Sequence, residues 1–244
     1  MRPVMFRWRG MTIWSYPAML YCGLVAGITA GNVAAHAAHI DAFRVYVATV
    51  LLVAPALAGA RLLYVASHWA RFRGRADRIW NRREGGAAQY GGLLVILPLS
   101  VPLLLVLRLP IGSFWDVTAF TILVGMIFTR IGCFLNGCCA GRPVKRWGVC
   151  LPNHLGMWER RVPTQCLEAA WATVLLVGAV ALWERLPFPG ALFLLVAGGY
   201  AIGRLVLESA REHAPGIGKF TVHHAISLLI AVVSFAALTI RWPK

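Results

Sequence analysis

Seven stretches of mostly apolar residues, each close to the roughly 20 residues a helix needs to cross a bilayer, take up most of this chain. They run from about Tyr16 to Ala38, Val45 to Ala66, Gly91 to Leu109, Trp115 to Leu135, Thr164 to Trp183, Pro189 to Leu207 and Thr221 to Ile240. In hydrocarbon every backbone N–H and C=O needs a partner within its own segment, which a helix supplies and irregular chain does not. The pattern predicts an all-α, polytopic membrane protein with about seven transmembrane helices, and residues 1–244 read as a single integral membrane domain. Composition agrees, since 59% of the 244 residues are apolar against about 45–50% in soluble domains. Pro98 and Pro102 predict a bent third helix. The first run follows Arg2, Arg7 and Arg9, as the core of a secretory signal does. Gly23, Gly27 and Gly31, at successive i+4 positions, favour a packed span instead.

The formal charge of +15 does not describe a nucleic-acid binder, because the basic residues sit in short clusters between apolar runs rather than in one basic domain. No nucleic-acid partner is expected. The apolar content excludes a disordered chain, and the length excludes a disulfide-stapled mini-domain. Sixteen of the 24 Lys and Arg fall on one side of the predicted spans: Arg2 to Arg9, Arg71 to Arg83, Arg142 to Arg161, and Arg211 with Lys219. The positive-inside rule makes that side cytoplasmic.

Three basic residues, Arg61, Arg130 and Arg204, instead lie within apolar runs or at their ends, together with Glu168 and Glu208. An ion at that depth costs at least about 2.5–3.5 kcal/mol on insertion scales and marks a candidate functional site. Arg204 and Glu208 are i, i+4 neighbours and could simply pair. Three arginines against two carboxylates still leave excess positive charge, which an anionic ligand would balance. A guanidinium stays protonated and grips phosphate through parallel hydrogen bonds, and the phosphate that a membrane offers is that of a phospholipid. Two glycine-rich stretches, Arg83 to Gly92 and Arg130 to Pro143, enter the third run and leave the fourth. With Arg130, Asn136 and Arg142 beside them they read as a polar pocket at a helix end.

Of the six cysteines, Cys133, Cys138, Cys139 and Cys150 could offer thiolates to zinc or an iron–sulfur cluster, form a disulfide, or act as catalytic thiols. Their spacing lacks paired C-x-x-C knuckles and no histidine is interleaved, so neither metal nor cofactor is expected. Cys22 and Cys166 read as small apolar packing residues.

Taken together the motifs resemble the prolipoprotein diacylglyceryl transferase family, over nearly the whole chain. Gly59-Ala60-Arg61-Leu62-Leu63-Tyr64 is similar to its Gly-x-Arg-x-x-Tyr stretch, and Gly85-Gly86 with Gly91-Gly92 to its double Gly-Gly element. Arg130 to Arg142 resembles its signature segment, and Pro163-Thr164-Gln165-Cys166-Leu167-Glu168 its Pro-x-Gln-x-x-Glu motif. Tyr200, Arg204, Glu208 and Arg211 fit its late Tyr-x-x-x-Arg-x-x-x-Glu-x-x-Arg pattern.

The resemblance implies transfer of the diacylglyceryl group of phosphatidylglycerol to the thiol of a lipobox cysteine in a prolipoprotein, or a related thiol acceptor, with release of glycerol phosphate. It implies residence in the bacterial plasma (inner) membrane, among membrane lipids, with the signature side outward, opposite to the charge count. The catalytic candidates are Arg130, Arg204, Tyr90 and Glu208. Candidates for substrate binding are Arg61, Gly91, Gly92, Asn136, Gly137, Gly141, Arg142, Gln165, Glu168 and Tyr200. Tyr90 stands where the family usually carries His, Cys133 where Asn is usual, and Cys138 where Glu is common. Two other readings compete: a non-catalytic phospholipid-binding or lipid-moving protein that kept the arginines, and a thiol-redox protein built on Cys133, Cys138 and Cys139.

Overall fold

The computed structural model describes residues 2–9, 11–74, 76–80, 88–152, 156–183, 185–211 and 222–242. Gly85, Gly86 and Lys219 lie outside the described residues, as do Arg75, Arg82 and Arg83. The element order is β1 (Val4–Trp8), β2 (Met11–Trp14), α1 (Ser15–Ala37), α2 (Ala42–Ser67), α3 (Trp69–Phe72), α4 (Gln89–Val106), α5 (Ile111–Asn136), β3 (Val149–Pro152), β4 (Trp158–Arg161), α6 (Thr164–Leu182), α7 (Ala191–Glu208) and α8 (Val222–Arg241). Each of the seven apolar runs coincides with a helix to within a few residues. Among the described residues six helices are long and apolar enough to cross a membrane, and Tyr90–Val106 is a shorter apolar one. The protein is an all-α, multi-pass membrane protein. Its outward faces agree, since Val25, Leu57, Val106, Val180, Val206 and Ile240 are all exposed, a placement that water would penalise and lipid does not. Pro98 and Pro102 lie inside α4, as Pro55 lies inside α2.

The chain divides into two compact units, Met1–Ala34 with Trp115–Lys244, and Ala35–Phe114. In the first, glycines set the helix approaches. A Cβ on Gly23 would stand 2.8 Å from Phe128 Cβ, and one on Gly27 2.6 Å from the Thr121 carbonyl oxygen, while Gly31 meets the Thr121 side chain. The i+4 glycine series of α1 is therefore the seam against α5. Phe120, Leu123 and Met126 of α5, Ala172 and Ala179 of α6, and Leu192 and Val196 of α7 form the buried core.

Two short antiparallel hairpins, which the apolar pattern does not foretell, finish the helix ends of this unit. β1 pairs with β2, Arg2 N donates to the Leu135 carbonyl at 3.0 Å, and the Ser15 hydroxyl bonds the Arg2 carbonyl. The N-terminal strand thus satisfies one of the orphan carbonyls at the end of α5. β3 pairs with β4 in the register Val149↔Arg161 to Pro152↔Trp158. Bridges Pro143↔Arg161 and Gly141↔Arg211 extend that ribbon toward the ends of α5 and α7.

In the second unit α4 lies against α2 through backbone. Gly59 and Gly91 face each other's carbonyls, and a Cβ on Gly92 would stand 2.8 Å from the Ala56 oxygen. Ala88 N donates to the Ala60 carbonyl at 2.8 Å. Asp41 caps α2 by accepting from Arg44 N at 3.0 Å, and the Arg44 guanidinium reaches the Leu107 carbonyl at 3.3 Å, beyond the end of α4.

Candidate active site

Helix α5 carries Arg130 in its last two turns and ends at Asn136 in a Schellman turn. Gly137 N donates to the Phe134 carbonyl at 3.2 Å and Cys138 N to that of Cys133 at 3.1 Å, with Gly137 at φ +76°. A left-handed residue at this place is what glycine supplies without strain. The next residues are pinned to the start of α6. Gln165 Nε2 donates to the Cys138 carbonyl at 2.6 Å and Thr164 Oγ1 to that of Cys139 at 2.7 Å. Gly141 N then donates to the Val162 carbonyl at 2.9 Å, and Arg142 N to that of Ala210, also at 2.9 Å. A Cβ on Gly141 would stand 2.5 Å from the Ala210 oxygen and 2.8 Å from Val162 Cβ. Gly141 is thus the point where the signature loop passes between the start of α6 and the end of α7.

That weave brings the charged groups together. Arg204 Nη1 donates to Glu168 Oε1 at 2.8 Å, Arg211 Nη2 donates to the same oxygen at 2.6 Å, and Arg130 Nη2 pairs with Glu168 Oε2. Arg204 Nη2 stands 2.9 Å from Glu208 Oε2, and Arg211 Nε 3.8 Å from it. Glu168 and Glu208 are 2% and 4% exposed, so both carboxylates sit where an unpaired charge would be costly. Among the described residues three guanidinium groups face two carboxylates in this cluster, leaving one positive charge in excess. Arg211 keeps the largest side-chain exposure of the three, 23%, and gives the cluster an open edge.

The sequence balance counts Arg61 as its third arginine, and the structure adds Arg211 to the cluster around Glu168 and Glu208. Arg61 belongs to the other unit, where its Nε donates to the Ile79 carbonyl at 2.6 Å and Nη2 to that of Arg78 at 3.2 Å. It also lies over the rings of Tyr64 and Phe72, at 5.7 and 5.5 Å. Tyr90, Gly91 and Gly92 are in that unit too: Tyr90 is buried in the first turn of α4, and the glycines form its seam with α2. Of the remaining candidates, Tyr200 is an electrostatic neighbour of Arg130. Gln165 is 1% exposed and Asn136 and Arg142 are exposed. The Oε1 atom of Gln165 is buried without a hydrogen-bond partner among the described residues, so the amide holds the loop with one end and leaves an acceptor free at the other.

Arg211, the last residue of the late pattern, is not among the site candidates read from the sequence, although its i+3 spacing from Glu208 is a signal for it. Arg161 was hidden too: it is 3% exposed and donates to the Gly141 carbonyl at 3.0 Å and to Glu159 at 2.7 and 3.0 Å. No apolar run contains it, so its burial was not legible.

Cys133, Cys138 and Cys139 come together at the same helix end. Their sulfur atoms all lie within 4.8 Å of one another. Hydrogen bonds from the Cys133 and Cys138 thiols, and then the fields of Arg130 and Arg211, hold the Cys139 thiol well below its usual range.

Fold and site define a multi-pass membrane protein that buries a cluster of ion pairs at the ends of three helices, cationic in balance among the described residues, a device suited to an anionic group. Comparison with known proteins gives this class a family. The chain belongs to the prolipoprotein diacylglyceryl transferase family, whose model matches residues 3–240. A relative named phosphatidylglycerol-prolipoprotein diacylglyceryl transferase in Clostridium botulinum is 28% identical over 244 residues, covering 96% of this chain and 94% of its own. Proteins of the same name in Bacillus cytotoxicus and Trichormus variabilis are 28% and 23% identical, covering 80% and 97% of this chain and 76% and 86% of theirs.

Proposed function

We propose that this protein transfers the diacylglyceryl group of phosphatidylglycerol to a cysteine thiol of a prolipoprotein, or a related thiol acceptor, in the bacterial plasma membrane. The observation that carries the reading is the convergence of Arg130, Arg204 and Arg211 on Glu168. The names of the relatives support the substrate pair.

In this reaction the acceptor sulfur attacks the glyceryl carbon that bears the phosphate ester. An S–C bond forms, the C–O bond breaks, glycerol phosphate leaves with the bonding pair, and the thiol proton passes to the departing phosphate or to water. The phosphate gains charge as it departs, and preorganised guanidinium groups aimed at that charge lower the barrier without reorganising. Arg130 and Arg204 form the clamp and Arg211 its open edge. Glu168 and Glu208 keep the guanidinium planes oriented, and Asn136, Arg142, Gln165 and Tyr200 position the headgroup. The Gly137 and Gly141 turns shape the wall. Tyr90, Arg61, Gly91 and Gly92 belong to the second unit, and a phenol is a weak general base at neutral pH. The acceptor thiol therefore draws its acidity chiefly from the cationic field.

The test combines full-length protein in detergent, phosphatidylglycerol and a lipobox peptide, following peptide mass and released glycerol phosphate together. A diacylglyceryl mass gain that Arg130→Ala and Arg204→Ala abolish, with helicity retained, is the expected result. Wild-type rates in both variants would remove the clamp assignment. Lipid binding with neither product would favour the phospholipid-binding reading, for which Tyr90 in place of the family's His is the specific observation.

A further inference from the structure

We propose that Cys133, Cys138 and Cys139 form a binding site for one thiophilic d10 cation, divalent zinc or monovalent copper. The proposal rests on the loop that carries the sulfurs.

Three thiols are brought within ligating distance by backbone that is built for it. All three sulfurs lie within 4.8 Å of one another. Metal–sulfur bonds of about 2.3 Å put sulfurs about 3.8 Å apart in a tetrahedral site and about 4.0 Å apart in a trigonal one, so a shift of under about 1 Å closes the ring. The chain reverses twice to achieve this, at Gly137 with φ +76° and at Cys139 with φ +62°. The second is a left-handed non-glycine residue, and such conformations persist where surrounding structure over-determines them. Here Gln165 and Thr164 supply that determination by holding the Cys138 and Cys139 carbonyls.

Access and charge also fit. Cys133 is buried, Cys138 half-buried and Cys139 exposed, so the trio has a closed floor and an open side. Three thiolates around a divalent cation carry one negative charge, and around a monovalent cation two. Arg130 and Arg211, the electrostatic neighbours of Cys139, supply the opposite sign. Soft thiolate ligands select zinc and monovalent copper over the hard cations. A disulfide between the adjacent Cys138 and Cys139 is disfavoured, because neighbouring Cα atoms lie about 3.8 Å apart and disulfides span about 4.4–6.8 Å. Linear spacing hid the site: the sequence offers C-x-x-x-x-C-C rather than paired knuckles, and only the Schellman turn folds Cys138 back over Cys133.

The experiment uses reduced, metal-free, full-length protein in detergent under anaerobic conditions. Zn²⁺ is titrated in one arm and Cu⁺ in the other, each against a chromophoric chelator. The expected result is one cation per chain, bound at least tenfold more weakly by Cys138→Ser and by Cys139→Ser and unchanged by Cys150→Ser. X-ray absorption then shows sulfur at about 2.3 Å. Binding in one arm alone identifies which cation the site takes. Cys139 is exposed, so its substitution leaves the packing intact. Competition by neither cation, an affinity that Cys139→Ser does not change, or a first shell without sulfur overturns the proposal. Reversible oxidation of Cys133 in protein that binds neither cation when reduced would do the same, in favour of a redox role.

Discussion

Arg204 Nη1 meets Glu168 Oε1 at 2.8 Å although 36 positions separate the two residues. The pair ties α7 to α6 at a depth where both side chains are more than nine-tenths buried. Glu168 also receives Arg130 and Arg211, so a single carboxylate gathers the cations of three chain segments. Removing one member of such a set leaves the others uncompensated.

Glu168→Gln is therefore expected to destabilise the fold more than any arginine substitution in the cluster. An amide keeps the shape and loses the charge, leaving three guanidinium groups against Glu208 alone. Breaking a buried pair in this way costs about 3–5 kcal/mol. The check is the midpoint of thermal unfolding in detergent, compared across Glu168→Gln, Arg204→Ala and Arg211→Ala. An unchanged midpoint for Glu168→Gln would show that the cluster does not hold the helices together.

Arg211 and Arg61 should separate in assay. Arg211→Ala takes away the most accessible guanidinium of the clamp, and losing one donor to a developing anion costs about 100-fold or more in rate. Arg61→Ala releases the Arg78 and Ile79 carbonyls, and its first effect is faster amide exchange over residues 76–80. A rate loss in Arg211→Ala smaller than that in Arg61→Ala would reverse these roles.

Helix positions were legible because hydrocarbon allows the backbone almost no other solution: each apolar run became a helix within a few residues. The buried ions were legible for the same reason, since Arg130, Arg204, Glu168 and Glu208 stood out against apolar surroundings. The burial of Arg161, the convergence of Arg211 on Glu168 and the closeness of the three sulfurs were not. Arg161 stands in β4, outside every apolar run, and Arg211 just beyond the end of α7, where an arginine carries no mark of burial; Cys133 stands in the last turn of α5 while Cys138 and Cys139 follow it, so only the turn at Gly137 brings the sulfurs together. Arg61 also stood out within its apolar run, while its bonds to the Ile79 and Arg78 carbonyls come from a loop that the apolar pattern does not describe.

The glycine seam of α1 gives a prediction about folding rather than chemistry. Gly27→Leu places a side chain where even a Cβ would stand 2.6 Å from the Thr121 carbonyl, and backbone cannot retreat as a flexible side chain can. Overpacking of this kind costs about 1–3 kcal/mol, so the variant is expected to lose yield of folded protein in detergent and to unfold earlier. Gly178→Ala is the control, because its Cβ meets nothing within 4 Å. Equal midpoints for Gly27→Leu and Gly178→Ala would show that α1 and α5 are not locked by this contact.

Asp116 sets the entry of α7, and through it the helix that carries Arg204 and Glu208. The N-cap of α7 is Gly190, at φ +99° and without a side chain to cap its own amides. Asp116 of α5 supplies the acceptors across the chain: Gly190 N donates to Oδ2 at 2.6 Å and Phe193 N to Oδ1 at 2.9 Å. The carboxylate also faces the positive end of the helix dipole. Asp116→Ala is expected to cost about 1–2 kcal/mol, as the loss of a capping side chain does, and to speed exchange of the Gly190 and Phe193 amides. Asp116→Asn keeps one good acceptor oxygen and should fall between alanine and wild type. Transfer activity should drop with the fraction of folded protein rather than at the chemical step, because the Asp116 carboxylate is engaged with the Gly190 and Phe193 amides at the opposite end of α7 from Arg204 and Glu208. A loss of rate at unchanged stability would instead show that the register of α7, and with it the aim of Arg204, is set from this cap.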